Sequence, residues 1–420
     1  MDDRLLGVAF DTSGNAFAVG IVKHADGGAD FSPAVVKFLP TGEIDTTFGN
    51  NGVAVVPAVV GQGSNFRGIG VQSTGKIVIA GTVPATVGLP NDRDVGVIRL
   101  NADGKSLDST FAPGSATPGV RVIDLAQGNA PTTDGGLPTA RDDQYGLNIQ
   151  PGDDKIIVVG AQRRTGGTDT DFAVIRLNAN GTNDPTFSGD GVFTLDIDQL
   201  NVSARRATVL ADGGGVVVSG YVPGSTSPFA PTRPVLFKLT SAGELDPSFG
   251  PDGGGIYSEP VLSAVTEIYG IAQQGARFVT AGYGKSDPAN AVPTDVVSLR
   301  FGSSGTLDRS YATDGYALVK FTPNASNGRA VTVLGDNRIV IVGNGQATAG
   351  DSDGFVAILS ENGRPDTTFG AEGRRTYNLG GKGDQFADIA RFGNRLAIVG
   401  FSATLDAGNE NGYALFLTVP

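Results

Sequence analysis

Three short segments of the chain carry carboxylates two residues apart: Asp92 with Asp94, Asp169 with Asp171 and Asp351 with Asp353. Acids at this spacing on a turn can direct oxygens toward one point, and Ca2+ takes shells of about six to eight oxygens. None of the three runs on into a complete EF-type loop, and the same residues suit Asx-turns, so the Ca2+ reading stands beside a structural one. Nucleophilic and transition-metal chemistry is poorly supplied. There is no cysteine and a single histidine, His24, which removes thiol catalysis, Cys-ligated zinc and multi-histidine metal sites. A Ser-His-Asp relay would have to use His24, and no G-x-S-x-G elbow accompanies it. No catalytic residue is assigned, and His24 reads as a solvated loop side chain.

The elements that must hold these loops repeat along the chain. A polar turn, an apolar run and a glycine recur as GNAFAVG, GKIVIAG, DKIIVVG, GGVVVSG, ARFVTAG, NRIVIVG and NRLAIVG, with the glycines at 20, 81, 160, 220, 282, 343 and 400. This phrase is called b3. A second, b4, follows each copy (AVVKFL at 34–39, VGVIRL at 95–100), and a third, b2, precedes it (GVAF at 7–10, GIGV at 68–71). A fourth, b1 (VAVVP at 53–57, VRVID at 120–124), occurs six times against seven of the others, because the sequence starts at b2 and stops at b4. All are short, rich in β-branched or aromatic residues and bounded by Gly, Asp, Asn and Pro, the pattern of strands. Glycine makes up 63 of 420 residues, which opposes long helices because it costs about 1 kcal/mol per interior helical position.

About 60 residues carrying four antiparallel strands is a β-propeller blade by size and content. The expected fold is therefore all-β, a seven-bladed β-propeller with one blade short of a strand. It forms one domain over 1–420, with repeat cores near 4–38, 66–100, 145–177, 205–239, 268–301, 328–359 and 386–418.

The first six b4 phrases lead into a further signature: GEIDTTFGNNG at 42–52, a longer variant GKSLDSTFAPG opening at Gly104, GTNDPTFSGDG at 181–191, GELDPSFGPDG at 243–253, GTLDRSYATDG at 305–315 and GRPDTTFGAEG at 363–373. Its aromatics, Phe48, Phe111, Phe187, Phe249, Tyr311 and Phe369, supply one apolar plug per blade interface. Its acids, Asp45, Asp108, Asp184, Asp246, Asp308 and Asp366, fix turns and face the basic residues Lys37, Arg99, Arg176, Lys238 and Arg300. In the sixth copy Leu359 stands where a basic residue is expected, and in the fifth Tyr311 replaces phenylalanine. The b3 glycines are expected to permit close backbone approach.

These paired motifs resemble the delta-60 repeat family of bacterial propeller-like repeats: IRLNADGKSLDSTF, IRLNANGTNDPTF and KFLPTGEIDTTFG carry the likeness, which spans the chain. The resemblance implies a β-propeller in a secreted or surface protein and no particular activity or catalytic residues.

Strand parity places the b1–b2 and b3–b4 loops on one face. Those loops vary, and they include the largest insertion, 126–144, whereas the opposite face has stereotyped turns. The variable face is the expected binding surface. A net charge of −12 opposes nucleic-acid binding, and no apolar run approaches the ~20 residues of a membrane span. The expected partner is a glycan or a protein at the cell surface, bound by a monomeric, non-enzymatic module without an essential metal or other cofactor. The alternative is a polysaccharide hydrolase or lyase using acids near the central channel. The start MDDRLLGVAF carries no signal-peptide pattern, so the expected secreted or surface location has its leader absent from this sequence, with the cytoplasm as the other option.

Overall fold

The computed structural model describes residues 3–23, 31–56, 65–84, 93–125, 133–134, 137–138, 142–163, 169–210, 215–224, 230–287, 293–321, 325–348, 350–380, 382–403 and 410–419. The fold is an all-β, seven-bladed β-propeller, with a single short 3-10 turn among the described residues, at Ala371–Gly373. Six blades (4–55, 65–123, 143–195, 203–257, 265–319 and 326–377) have four strands and the seventh, 382–418, has three. Within each blade the order is b2, b3, b4 and then the b1 that follows in sequence, all antiparallel neighbours, as in Val35 opposite Ala54 at the outer edge. The missing strand is therefore the outer strand of the last blade. The chain divides into two compact units, 1–204 with three blades and 205–420 with four.

Blade-to-blade packing follows from the linker signature. Phe48, Phe111, Phe187, Phe249 and Tyr311 are fully buried, and four of them lie under the linker glycine of the next blade. A Cβ on Gly104 would sit 2.4 Å from the Phe48 ring, and Gly181, Gly305 and Gly363 stand likewise over Phe111, Phe249 and Tyr311. Backbone bonds close the same seams, such as the Gly250 N–H to the Ser304 carbonyl at 2.7 Å. Phe369 is only partly buried, because the seventh blade carries no such linker within this sequence.

Each signature acid forms a clasp. Lys37–Asp45 (2.8 Å), Arg99–Asp108 (2.7 Å), Arg176–Asp184 (2.7 Å), Lys238–Asp246 (2.8 Å) and Arg300–Asp308 (2.8 Å) all pair. The other carboxylate oxygen accepts the N–H and hydroxyl of the residue two positions on, as Thr47 does for Asp45. The Lys37 and Thr47 contacts bring the Asp45 carboxyl down to about 2. The basic position of the sixth copy is Ile358, one residue before the expected Leu359. Ile358 faces Val340 as Arg99 faces Val78, and Asp366 N–H bonds to its carbonyl. Arg338, from the start of b3, takes over and reaches Asp366 at 2.9 Å. In the fifth copy the extra hydroxyl of Tyr311 meets Ser298 Oγ at 2.9 Å.

The b3 glycines do allow close approach. A Cβ at Gly282 would lie 1.8 Å from the Glu267 carbonyl oxygen, and at Gly343 1.9 Å from that of Asn327. Opposite six of the seven b3 glycines b2 contains a bulge, with register shifts across Leu5/Gly7, Phe66/Gly68, Gln144/Gly146, Ile268/Gly270, Gly328/Ala330 and Phe386/Asp388. A bulge turns one side chain away from the alternation of the strand. The extra residues are Leu6, Arg67, Tyr145, Tyr269, Arg329 and Ala387, all half-buried, and all but Leu6 stand between buried neighbours.

Candidate functional site: arginine and tyrosine on the b2 strands

In the first unit, Asn65, Arg67, Thr82, Arg93, Asp143, Gln144 and Tyr145 line a cavity of about 200 Å³. It lies where b2 begins and b3 ends, the side of the variable loops. Asn65–Val71 and Asp143–Ile149 are the b2 strands of the second and third blades, and their bulges bring Arg67 over the Tyr145 ring at 5.6 Å. Gln144 is 2 % exposed. Its backbone N–H bonds to Thr82 Oγ1 at 3.0 Å, while neither Nε2 nor Oε1 of its amide has a hydrogen-bond partner. Gly68 makes room for that amide, since a Cβ there would be 2.7 Å from Nε2. A buried amide left without partners costs about 1–3 kcal/mol, and a polar ligand in the cavity would recover it.

In the second unit, the Arg205 guanidinium stands 4.2 Å from the centre of the Tyr269 ring and 5.1 Å from that of Tyr221. Arg329 lies 4.9 Å from the same Tyr269 ring, and Tyr283 stacks on it with centroids 5.5 Å apart. Arg205 Nη2 donates to Tyr221 Oη (2.7 Å), and Tyr269 Oη donates to Glu267 Oε2 (3.0 Å). Burial drives the Tyr221 and Tyr269 phenols well above the usual tyrosine range, against the pull of Arg205, and pushes Tyr283 up to about 12. These phenols stay protonated and act as hydrogen-bond donors; none is tuned to take a proton near neutrality. The b2 carboxylates of this unit are engaged too, Glu267 by Tyr269 and Asp388 by Arg206 at 3.0 Å.

The paired aspartates fall at blade corners. Asp94, Asp171 and Asp353 hold the same place near the start of b4, each three residues or fewer before the one facing the b3 glycine. Asp94 converges with Asp124 and Asp142, and Asp169 and Asp171 converge with Asp196, with one oxygen of each within 4.8 Å of the others. Sequence pairing finds the Asp-x-Asp partners but not Asp124, Asp142 and Asp196, which come from b1 ends and the next b2. Asp92 and His24 lie outside the described residues. Of the insertion 126–144, the described backbone includes a hairpin pairing 133–134 with 137–138. The arginines and tyrosines of b2 also escape a reading by repeat, since several b2 positions change type from copy to copy; the recurrence of Arg or Tyr at Arg67, Tyr145, Arg205, Tyr269 and Arg329 is the signal that could have marked them.

Three segments, 72–111, 152–187 and 334–369, match the β-propeller domain of unknown function DUF5122. No curated protein matches the chain. Among solved structures it is similar to an ulvan lyase of polysaccharide lyase family PL25 bound to a -[GlcA(1-4)Rha3S]- ligand, at 10% identity and a TM-score of 0.51 over 99% of this chain and 94% of that one. It is also similar to the β-propeller domain of the Trilobed protease from Pyrococcus furiosus (11% identity, TM-score 0.45, 97% of each chain). Drosophila Semaphorin 2a matches at 9% identity and a TM-score of 0.47, over 94% of this chain and 72% of that one. At these identities the likeness is one of fold. No described helix is long and apolar enough to cross a membrane.

Proposed function

We propose that this propeller is a non-enzymatic binding module for an acidic glycan, taken in the first-unit cavity. The observation that carries the reading is the Gln144 amide: a buried donor and acceptor, both without partners, on the wall of a polar cavity. Arg67 and Arg93 suit a sugar carboxylate, which guanidinium groups bind through two parallel hydrogen bonds. Asn65, Thr82 and Asp143 suit hydroxyls, and the Tyr145 ring offers an apolar face. Asp143 is the sole carboxylate among the described lining residues, so the paired acids of a glycoside hydrolase have no counterpart there.

Calorimetric titration with an oligogalacturonate, beside a neutral oligosaccharide of equal length, tests this reading. The acidic ligand should bind, weaken with salt, and lose about tenfold in affinity, or ~1.4 kcal/mol, in Gln144→Leu and Arg67→Ala. Equal binding of the neutral sugar, or unchanged affinity in both variants, would reject the site. Release of unsaturated or reducing-end products would reject the non-enzymatic part and favour a lyase or hydrolase.

A further inference from the structure

The blade corners form a series within one molecule. At each corner the start of b4, the end of the paired b1 and the start of the next b2 meet. In the fourth blade the b4 and b2 positions hold Arg233 and Thr266, with Arg233 Nε donating to Ser258 Oγ on the paired b1 at 2.9 Å and the Thr266 N–H on the Thr232 carbonyl. In the fifth the corner holds Asp295, Lys320 and Ser326, where Lys320 offsets the effect of burial on the Asp295 carboxyl. A cationic side chain thus stands in each of these two corners.

Three other corners hold acids instead, whereas the b4 position is Ser32 in the first blade and Asn411 in the seventh. In the second blade the acids are Asp94, Asp124 and Asp142, and in the third Asp169, Asp171 and Asp196. In the sixth, the Asp353 carboxylate accepts a hydrogen bond from Asn378 and feels the charges of Asp351 and Asp384. Asp384 is fully buried, with Oδ2 receiving the Leu379 N–H at 2.6 Å and Oδ1 the Ser402 hydroxyl. Asp142 holds the equivalent place in the second blade and receives the Leu125 N–H on Oδ2, also at 2.6 Å. Asp353 is 6 % exposed, yet its Oδ1 is buried without a hydrogen-bond partner, as are Asp351 Oδ1 and Asp169 Oδ2. Burial, then the charges of Asp351 and Asp384, push the Asp353 carboxyl above the usual carboxylate range. Buried carboxylate oxygens without donors are costly unless a cation serves them.

We propose that the three carboxylate corners, at Asp94/Asp124/Asp142, Asp169/Asp171/Asp196 and Asp351/Asp353/Asp384, each bind a divalent cation, Ca2+, which takes the place filled by Arg233 and Lys320 in the corners between them. All-oxygen donors suit a hard cation. Their origin on two or three separate chain segments gives the adaptable cage that Ca2+ accepts and that Mg2+, with its strict octahedron, does not. At the second and sixth corners the bound ion ties b4 of one blade to b2 of the next, and at the third it joins b4 to b1 within one blade. The sites are independent of the glycan cavity and do not rest on it.

The test is calorimetric titration of EDTA-treated full-length chain with CaCl2, with MgCl2 as a second arm, alongside thermal melting. Saturable uptake of about three equivalents of Ca2+, weaker uptake of Mg2+, and a Ca2+-dependent rise in Tm are expected. Asp171→Asn and Asp353→Asn should each remove about one equivalent. Asp196→Lys imports the acid–lysine pairing of the fifth blade, so it should fold without Ca2+ and also lose one equivalent. Lys320→Met, at a corner with its own cation, should leave uptake unchanged. A folded wild-type chain that takes up no Ca2+ at millimolar concentration would overturn the proposal. So would uptake that survives undiminished in Asp196→Lys and Asp353→Asn.

Discussion

Arg338 carries alone what two residues share elsewhere, and its removal measures what a clasp contributes. In the fifth blade Asp308 is held by Arg300 at 2.8 Å, with Arg277 at 3.7 Å as a second cation that is 45 % exposed. In the sixth, Ile358 occupies the Arg300 position, and Arg338 at 2.9 Å is the basic partner seen on Asp366. Breaking a buried ion pair by removing one partner costs about 3–5 kcal/mol, and an exposed pair about 0–1. The Arg338 and Asp366 side chains are 21 % and 12 % exposed, which places Arg338→Ala between these limits, at roughly 2 kcal/mol. Arg277→Ala should cost about 0.5 kcal/mol or less, because Arg300 remains. Urea unfolding followed by circular dichroism reads both variants against wild type. The pH dependence gives a second check. The Thr368 hydroxyl, then Arg338, hold the Asp366 carboxyl below its ordinary value of 3.8 against the effect of burial. A carboxyl depressed in the folded state stabilises above the unfolded value and loses that contribution as pH falls through the folded one. The gap between wild type and Arg338→Ala should therefore be full at pH 7 and close below about pH 3.8. Adding Ile358→Arg should restore stability by rebuilding the usual clasp. Equal losses in Arg338→Ala and Arg277→Ala, or a gap that persists in acid, would refute this account.

Other consequences are equally direct. Asp45 and Asp246 are both held down to about 2 by their lysine and hydroxyl partners, so Tm should hold to about pH 4 and fall toward pH 2, and a Tm flat to pH 2 would count against the clasps. Gly282→Ala should cost more than about 1 kcal/mol and shift the Tyr269 environment, because its Cβ meets the Glu267 carbonyl oxygen at 1.8 Å. Gly254→Ala, with nothing within 4 Å of the added Cβ, should be nearly neutral in the same melts. Tyr311→Phe should cost about 1 kcal/mol by orphaning buried Ser298 Oγ, and Tyr311→Phe with Ser298→Ala should recover most of it in chemical unfolding.

Much of this protein is legible in one copy of its repeat. The b3 phrase with its terminal glycine, the acid and ring of the linker, and the basic residue of b4 recur at fixed spacing, and each does one local job that its type announces. Phe111 must be buried and Asp108 must find a cation, so strand count, blade count, plugs and five of the clasps follow from residue type and period. The seventh blade's missing strand follows from counting six copies of b1. Counting does not say which strands hydrogen-bond, and only pairing of b1 to the preceding b4 puts the gap at the outer edge of the last blade. The sixth clasp shows the same boundary: replacement of a basic residue is visible in sequence, but Arg338 comes from another strand, 28 residues before Asp366.

The candidate sites were decided by tertiary structure. In six blades a bulge on b2 redirects one side chain, and the sequence does not reveal which b2 residue is extra until b3 is laid beside it. Arg67 and Tyr145 are 78 positions apart and meet because their strands occupy neighbouring blades. Asp94 announced itself through its spacing to Asp92, yet its corner partners Asp124 and Asp142 arrive from other strand ends. Local chemistry is written in residue types and short periods, whereas convergence depends on pairing between blades, to which each repeat contributes only part.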